Sequence, residues 1–488
     1  MNSAIAARVP RLRPLAAALA IAFAMSTAVA SSGTRDAVHP RDHAALGVPI
    51  AESVRRARAD GVNALTPFTD RRPQGTVVVA NCDDAGPGSL RDAYFNAVDD
   101  QTIDLSQLPC STITLTTGAL TNSPSTTDVT LQGPGKYQLT IDGSHNGRVL
   151  VHNGSGQMSL NGLTVTNGSY SGTYGGGCIY SYGSVALFES LVSSCSMSSS
   201  GSAKANGGAI YARGNVAVVA SQVIDSTAHA ASANSAGGGV WADSVGIYMS
   251  TISGNTVSGD GSHYARGGGV YSLGDTQIKY STLADNDADA GAGAFLVGAV
   301  DYTMAIGNST ISGNHASGAG GGVYAKYRPL EVSNSTITQN TAGFQVGAGI
   351  YLASDTDIES TIIANNTSQD GLYASDLGGN AAITVSGANN LIRASTLPVP
   401  PDTIDGEPML GPLQNNGGFT MTHALLAGSP AIDHGNNLAG RGFDQRAIDY
   451  DNPVYGYERT VGSNADIGAF EFGAPDHIFV DSFDTPPP

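Results

Sequence analysis

Between residues 175 and 351 apolar and polar positions alternate in short runs that return to the same phase seven times, aligning without gaps on Tyr180, Tyr211, Trp241, Tyr271, Phe295, Tyr324 and Tyr351. Immediately before each ring stands Ile179, Ile210, Val240, Val270, Ala294, Val323 or Ile350, and two residues before it only Cys, Ala or Gly. Four residues before it stands Gly176, Gly207, Gly237, Gly267, Gly291, Gly320 or Gly347. An aliphatic run follows each ring, and then a phrase of the form Ser-Thr-Ile-x-x-Asn. STISGN occurs at 250–255 and again at 309–314, with looser copies STLADN (281–286), STITQN (335–340) and STIIAN (360–365). Period-two alternation with β-branched residues and no helical period predicts strands. Repeats of 24 to 31 residues lack leucine-rich spacing and are too long for hexapeptide coils, so the expected architecture is all-β. It is a right-handed parallel β-helix, one coil per repeat, with coils stacked about 4.8 Å apart.

Charge sets the facing of the side chains. Two residues after the ring stand Tyr182, Arg213, Asp243, Leu273, Val297, Lys326 and Ala353; ionised groups inside a narrow coil would cost far too much, so this position faces water. Strand alternation then turns the rings outward into a column and the preceding aliphatics inward. The recurring Asn255, Asn286, Asn314, Asn340 and Asn365 are expected above one another at a bend, each amide bonding to the next as a structural ladder.

The other segments are read around this core. Residues 1–30 carry Arg8, Arg11 and Arg13, an apolar run at 15–24 and Ala28-Val29-Ala30, the layout of a secretory signal. Residues 31–73 form a polar, disordered lead-in. Residues 74–100 cap the coil: Ser89 with Asp92 three residues on, and Leu90, Ala93, Tyr94 and Ala97 along one side, predict a short helix laid across the first apolar layer. The β-helix extends over 101–395, a further unit covers 396–472 after the proline-rich crossing LPVPPDTIDGEP (397–408), and 473–488 is a tail. Between the Asn position and the next glycine the early repeats insert long Gly/Ser/Ala loops, such as 196–206 and 256–266, expected to form a flexible shelf along one edge.

Composition narrows the classes. The formal charge of −18 becomes −18 − 3 = −21 once the three arginines of residues 1–30 are removed, which makes nucleic acid and anionic membrane surfaces poor partners. The apolar run at 15–24 is shorter than the roughly 20 residues that span a bilayer, and no membrane-spanning segment is expected in the mature chain. In an oxidising compartment four cysteines can pair; Cys82 with Cys110 and Cys178 with Cys195 is the simplest of three connectivities, with buried free thiols as the alternative. No Cys/His cluster or HExxH supports a zinc site.

Two stretches carry a family resemblance. MLGPLQNNGGFTMTHALLAGSPAIDHG (409–435), FDQRAID (443–449) and ADIGAFEF (465–472) resemble the choice-of-anchor Q module of bacterial surface β-helix proteins. GPGSLRDA (86–93) resembles the entry segment of the pectate-lyase-like β-helix superfamily, and GGAIY with the I-x-x-N turns is similar to polymorphic outer-membrane protein repeats. These resemblances imply an exported, cell-associated protein without a single assigned activity.

Three sets of residues are candidates for chemistry. The outward ring column suits the C–H faces of sugars, making Tyr180, Tyr211, Trp241, Tyr271, Phe295, Tyr324 and Tyr351 the candidate ligand-binding residues for an extended carbohydrate or a cell-envelope surface; cross-strand stacking alone is the competing role. Arg213, Asp243, Asp275, His263 and Arg266 are the residues a polysaccharide lyase or glycoside hydrolase would use on this scaffold, although Arg213 and Asp243 occupy equivalent places on neighbouring coils and suit a surface ion pair. Asp285, Asp287 and Asp289 mimic the start of a calcium loop, but Ala290 and Leu296 stand where glycine and glutamate belong, so calcium is only a weak candidate and no cofactor is expected. The sequence therefore favours an exported protein that binds or displays without catalysis.

Overall fold

The computed structural model describes residues 75–474, apart from 127, 261–262, 299–302, 344–346, 370–374, 439 and 448–455. The expected secretory signal and lead-in (1–73) and the expected tail beyond 474 lie outside the described residues.

The chain coils into a parallel β-helix. In the coil that opens at Ile210 the strands are Ile210–Ala212, Asn215–Val219, Gln222–Ile224 and Thr227–Ala230, and one coil on they pair in parallel with Val240–Ala242, Ser244–Tyr248, Thr251–Ser253 and Thr256–Gly259. Repetition builds four parallel sheets, numbered one to four in that chain order, of 10, 12, 11 and 8 strands. Equivalent residues lie level: Ile179, Ile210, Val240, Val270, Ala294, Val323 and Ile350 form one interior row, each 0% exposed. Burying each Val or Ile contributes about 1.5–3 kcal/mol, which is why these positions read aliphatic throughout. Among the described residues no helix is long and apolar enough to cross a membrane.

In the coils between Asn215 and Thr367 two corners are single residues with positive φ. Ala220, Met249, Tyr280, Asn308, Asn334 and Ser360 turn sheet two into sheet three, and Asp225, Gly254, Asp285, Gly313, Gln339 and Asn365 turn sheet three into sheet four. A left-handed residue other than glycine is costly, and in each case the next residue locks the turn. After the first corner, the Ser250 hydroxyl accepts the backbone N–H of Ser221, Ser281 accepts that of Ser250, Ser309 that of Ser281, and Ser335 that of Ser309. After the second corner, the Asn286 carbonyl oxygen accepts both the backbone and the side-chain N–H of Asn255, at 3.1 and 3.0 Å, and the pattern repeats through Asn314 and Asn340. The phrase STISGN is thus a hydroxyl corner, a three-residue strand, a left-handed residue and an amide corner.

The ladder departs from the sequence reading at one rung. Asn340 donates to Asn366, not to Asn365. Thr336 pairs with Ile362 and Ile337 with Ile363, so the equivalent of STITQN is TIIANN (361–366), one residue later than STIIAN. Asn365 is the left-handed residue, with φ 60°, and its side chain faces outward to Glu407 and Arg393. The ladder ends on a carboxylate: Asp376, 0% exposed, accepts the backbone and side-chain N–H of Asn366 on Oδ1 and the N–H of Ala394 on Oδ2. An acid suits a terminus that must accept from both directions.

At the N-terminal end the helix Leu90–Phe95 lies across the first coil, with Ser89 capping the Asp92 N–H and Leu90 and Tyr94 buried. Arg91 ties it to the carbonyls of Gly118 and Ala119 and to Asp84. The four cysteines form Cys82–Cys110 and Cys178–Cys195. The long loops are more ordered than their composition suggests: Ala205–Asn206, Ser235–Ala236 and Ala265–Arg266 pair as a further small sheet, and Met197, Ala205, Ala228, Ala230, Val257 and Ala265 bury one another beneath it. Small apolar residues at matching offsets lie hidden among Gly and Ser.

The C-terminal residues fold back along the solenoid. After the hairpin Leu410–Gln414 with Thr422–Leu425, Gln445 bonds Thr282 and Thr310 on successive strands of sheet three, His423 bonds Ser312, and the Ala469 N–H bonds Thr336. Ile467, Ala431 and Leu425 share an apolar cluster with Ile362, Ala364 and Leu391 of the coils.

Asn366→Ala leaves several buried backbone and amide groups without partners and is expected to destabilise by about 2–3 kcal/mol in urea unfolding, whereas Asn365→Gly keeps the left-handed corner and should stay within about 0.5 kcal/mol. Equal losses would contradict this register.

Candidate binding face

The outward face of sheet one is built from the glycine-led repeat. The seven glycines named above have φ between 59 and 81°, a conformation that side chains rarely adopt. Gly239, Gly269, Gly293 and Gly322, one position before the aliphatic, lie against Asn255, Asn286, Asn314 and Asn340, where an added Cβ would fall within 3.1–3.2 Å of the amide side chain. At Trp241, Tyr271, Phe295 and Tyr324 the amide ladder therefore sets the height of the ring.

The rings stack without interruption. Successive centroids from Tyr180 to Tyr351 lie 5.6, 4.5, 6.4, 5.5, 4.7 and 4.7 Å apart, with interplanar angles of 7, 13, 6, 9, 15 and 25°. Six of the rings are half-buried and Phe295 is buried. Stacked faces are turned toward neighbouring rings, so a ligand lying along the column meets mainly ring edges, phenol hydroxyls and the Trp241 indole edge, not the ring faces on which the sequence reading relied. Burial pushes the phenols of Tyr211, Tyr271 and Tyr324 up, keeping them protonated hydrogen-bond donors.

Free ring faces lie beside the column instead. Tyr174, Tyr182, Tyr264 and Tyr327 are each at least half exposed, and three of them carry a cation: Arg213 lies 4.7 Å over Tyr182, Arg266 4.9 Å over Tyr264 and Lys326 4.3 Å over Tyr327. Arg266 also reaches the Phe295 ring at 5.3 Å. Arg148 sits 3.4 Å over Tyr170 and 4.9 Å over Tyr180 while its Nε and Nη2 donate to the carbonyls of Tyr174, Gly175 and Gly176. These tyrosines fall outside the repeated ring position. For Tyr264 and Tyr327 the signal in the sequence is a cation one or two residues away, as in YAR (264–266) and KY (326–327), whereas the partner of Tyr182, Arg213, stands one repeat on.

Of the residues considered for catalysis, Arg213, Asp243 and Asp275 follow one another on successive coils, since Tyr211 is level with Trp241 and Val245 with Thr276. Arg213 turns to Tyr182, and among the described ion pairs none joins it to Asp243. Asp243 is raised by partial burial. Asp275 accepts from the Thr303 N–H at 2.7 Å and from its hydroxyl, bracing a turn on the next coil. His263 lies in the loop shelf, and Arg266 at the shelf edge faces the column.

The calcium candidates also separate. Asp287 bonds His315 at 2.6 Å, Asp289 takes the Ala265 N–H and the Ser317 hydroxyl, and Asp285 is a corner residue. Among the described residues the one tight group of three potential metal ligands is Asp99, Asp100 and Asp128, on the first coils. There Asp99 accepts the Asp128 N–H and Asp128 the Gln157 N–H.

The charged residues of the C-terminal unit brace it internally. Arg446 pairs with Asp444 at 2.6 Å and is sandwiched between Tyr457 and Phe470 at 3.8 and 3.7 Å. Glu471 accepts the N–H groups of Val461 and Asp466, and Asp433 accepts the Ser463 N–H.

No family model matches the chain, and no curated protein matches it. Among solved structures it is similar to the crystal structure of pectate lyase Pel9A, at 12% identity over 82% of this chain and 97% of that one, with a TM-score of 0.44. The coil itself is established by this chain's own strand register.

Burial pushes Glu471 up to about 8, against the pull of the neighbouring Arg459. A carboxyl raised on folding favours the native state while protonated, so its contribution falls as pH rises from about 4.5 through about 8. The melting midpoint of Glu471→Gln relative to the unsubstituted protein should therefore shift in favour of the variant between pH 5 and pH 9. A pH-independent difference would show that Glu471 is not raised.

Proposed function

We propose that this chain is an exported β-helix protein of the cell surface or the medium that binds or displays without catalysis, and that its ligand is an extended carbohydrate. The observation that carries the reading is the unbroken column of seven rings, whose edges recur once per coil, with exposed tyrosine faces along both sides. An extended glycan advances by a step close to one coil per ring, so it would meet hydroxyls and ring edges repeatedly along the column. Two disulfides fit an oxidising compartment. The secretory layout of residues 1–30 and the likeness of 409–472 to the choice-of-anchor Q module support export and attachment. Binding is favoured over cleavage by the engagements these side chains already have: Arg213 lies over the Tyr182 ring and Asp275 accepts from the Thr303 N–H and hydroxyl.

The test is a panel of glycans scored for retention and for release of unsaturated or reducing ends. Retention without release is expected; release would make the protein a lyase or hydrolase. The double variant Tyr182→Ala, Tyr327→Ala should lower retention several-fold with an unchanged melting midpoint, because neither ring lies in the stack. Trp241→Ala should lower both, since it removes two stacking contacts worth about 0.2–1 kcal/mol each. Unchanged retention in both variants would remove the column and its flanks as the binding face.

A further inference from the structure

Sheet two carries a buried row on its outer face. In the strands Ser184–Phe188 and Asn215–Val219, Val185, Leu187, Val216 and Val218 belong to the central core, so alternation turns Ala186, Phe188, Ala217 and Val219 away from the axis. These four are nonetheless only 0, 1, 1 and 4% exposed. Phe188, Val219, Tyr248 and Lys279 lie level on successive strands, and the row goes on through Gly307 and Ser333. There Arg441 of the C-terminal unit sets its guanidinium against Gly307 and donates to the Ser333 hydroxyl. The described hydrogen bonds from that unit to the coils begin at Tyr280, next to Lys279. Val219 and Phe188 lie two and three coils earlier, roughly 10 and 14 Å from that point. Burial pushes the Lys279 ammonium down to about 8, with Arg441 adding to the effect and Glu331 opposing it.

We propose that residues 475–488 cover this row: the tail runs from the C-terminal unit back along sheet two and seats Ile478, Phe479, Val480 and Phe483 on Ala186, Phe188, Ala217 and Val219. The described chain ends close to the row, since the Glu471 N–H bonds Asp444, Asn308 bonds the Phe443 carbonyl and Gln445 bonds Thr282. After Ala474, 488 − 474 = 14 residues remain, about 45 Å when extended, and about a third of that length reaches Phe188. Charge selects the same segment. The tail carries Asp476, Asp481 and Asp484 with no Lys or Arg. The row is bordered at one end by Lys136, whose ammonium lies near the Ala220 carbonyl with Glu189 beside it, and at the other by Lys279 and Arg441 with Glu331 near them. The lead-in holds Arg55, Arg56 and Arg58, which those cations would repel. Seated on sheet two, the tail extends the interface that the C-terminal unit already makes and leaves the ring column of sheet one open to its ligand.

The experiment uses the full chain with Val219→Cys, whose thiol stands apart from the disulfides Cys82–Cys110 and Cys178–Cys195, and follows the rate at which a maleimide labels it. With the tail unaltered, labelling should be at least about tenfold slower than in the urea-unfolded chain. Adding Ile478→Ser, Phe479→Ser, Val480→Ser and Phe483→Ser should raise the rate about tenfold while the far-UV circular dichroism of the coil is unchanged. Asp481→Lys with Asp484→Lys should act in the same direction, less so as salt rises. Where Val219→Cys lowers the melting midpoint, Ala217→Cys repeats the measurement on the adjoining row. Fast labelling beside an unaltered tail would show the row to be open, and slow labelling indifferent to the four serines would show that other residues cover it. Either result overturns the proposal.

Discussion

The structure depends on vertical register, and register is held by side-chain amides buried where water cannot compete. From Asn286 onward each Asn in the ladder uses its full hydrogen-bonding capacity: its oxygen takes two N–H groups from the preceding coil, and its NH₂ gives one bond to the next oxygen and one to a backbone carbonyl, as Asn286 does with Asn314 and Ile252. A coil displaced along its own path would strand these groups in the interior, at a cost of about 1–3 kcal/mol each. The glycines pressed against the amides then fix where sheet one begins, and the rings follow. A polar ladder and an aromatic column on different faces are two consequences of one constraint.

What repeats was legible, and what occurs once was not. The aliphatic rows, the positive-φ glycines and the ring positions were readable because each is tested seven times in the sequence. The cap helix was readable from its local chemistry, Ser89 and Asp92 ahead of Leu90 and Tyr94. The slip from Asn366 to Asn365 came from matching letters: STIIAN looks like STISGN, but the alternation of Ile362 and Ile363 across the sheet decides which residue turns the corner. The serine corner escaped for a different reason. Its hydroxyl leads the strand by a single residue and reads as ordinary strand chemistry.

The fold-back of the C-terminal unit could not be read at all. Gln445 and Thr282 are 163 residues apart, and a single long-range bond leaves no periodic trace. The candidate face divides along the same line: its rings were readable from their spacing, but their mutual stacking, which turns the faces inward upon each other, depends on the tilt of each ring. Tyr174, Tyr264 and Tyr327 belong to no repeat, and only the folded chain brings them to one surface with Tyr182, Arg213 and Lys326, which share the place two residues after the rings.

The amide ladder has a direction. Every rung donates toward the C-terminal end, from Asn255 to the carboxylate of Asp376, so the two ends of the series are not interchangeable. A rung in the middle, however, sees the same donor below and the same acceptor above as its neighbours. Duplication or loss of one whole coil would leave every remaining ladder bond intact, so the ladder sets no length of its own; the C-terminal residues, bonded to Thr282, Thr310, Ser312 and Thr336, are what fix the number of coils beneath them.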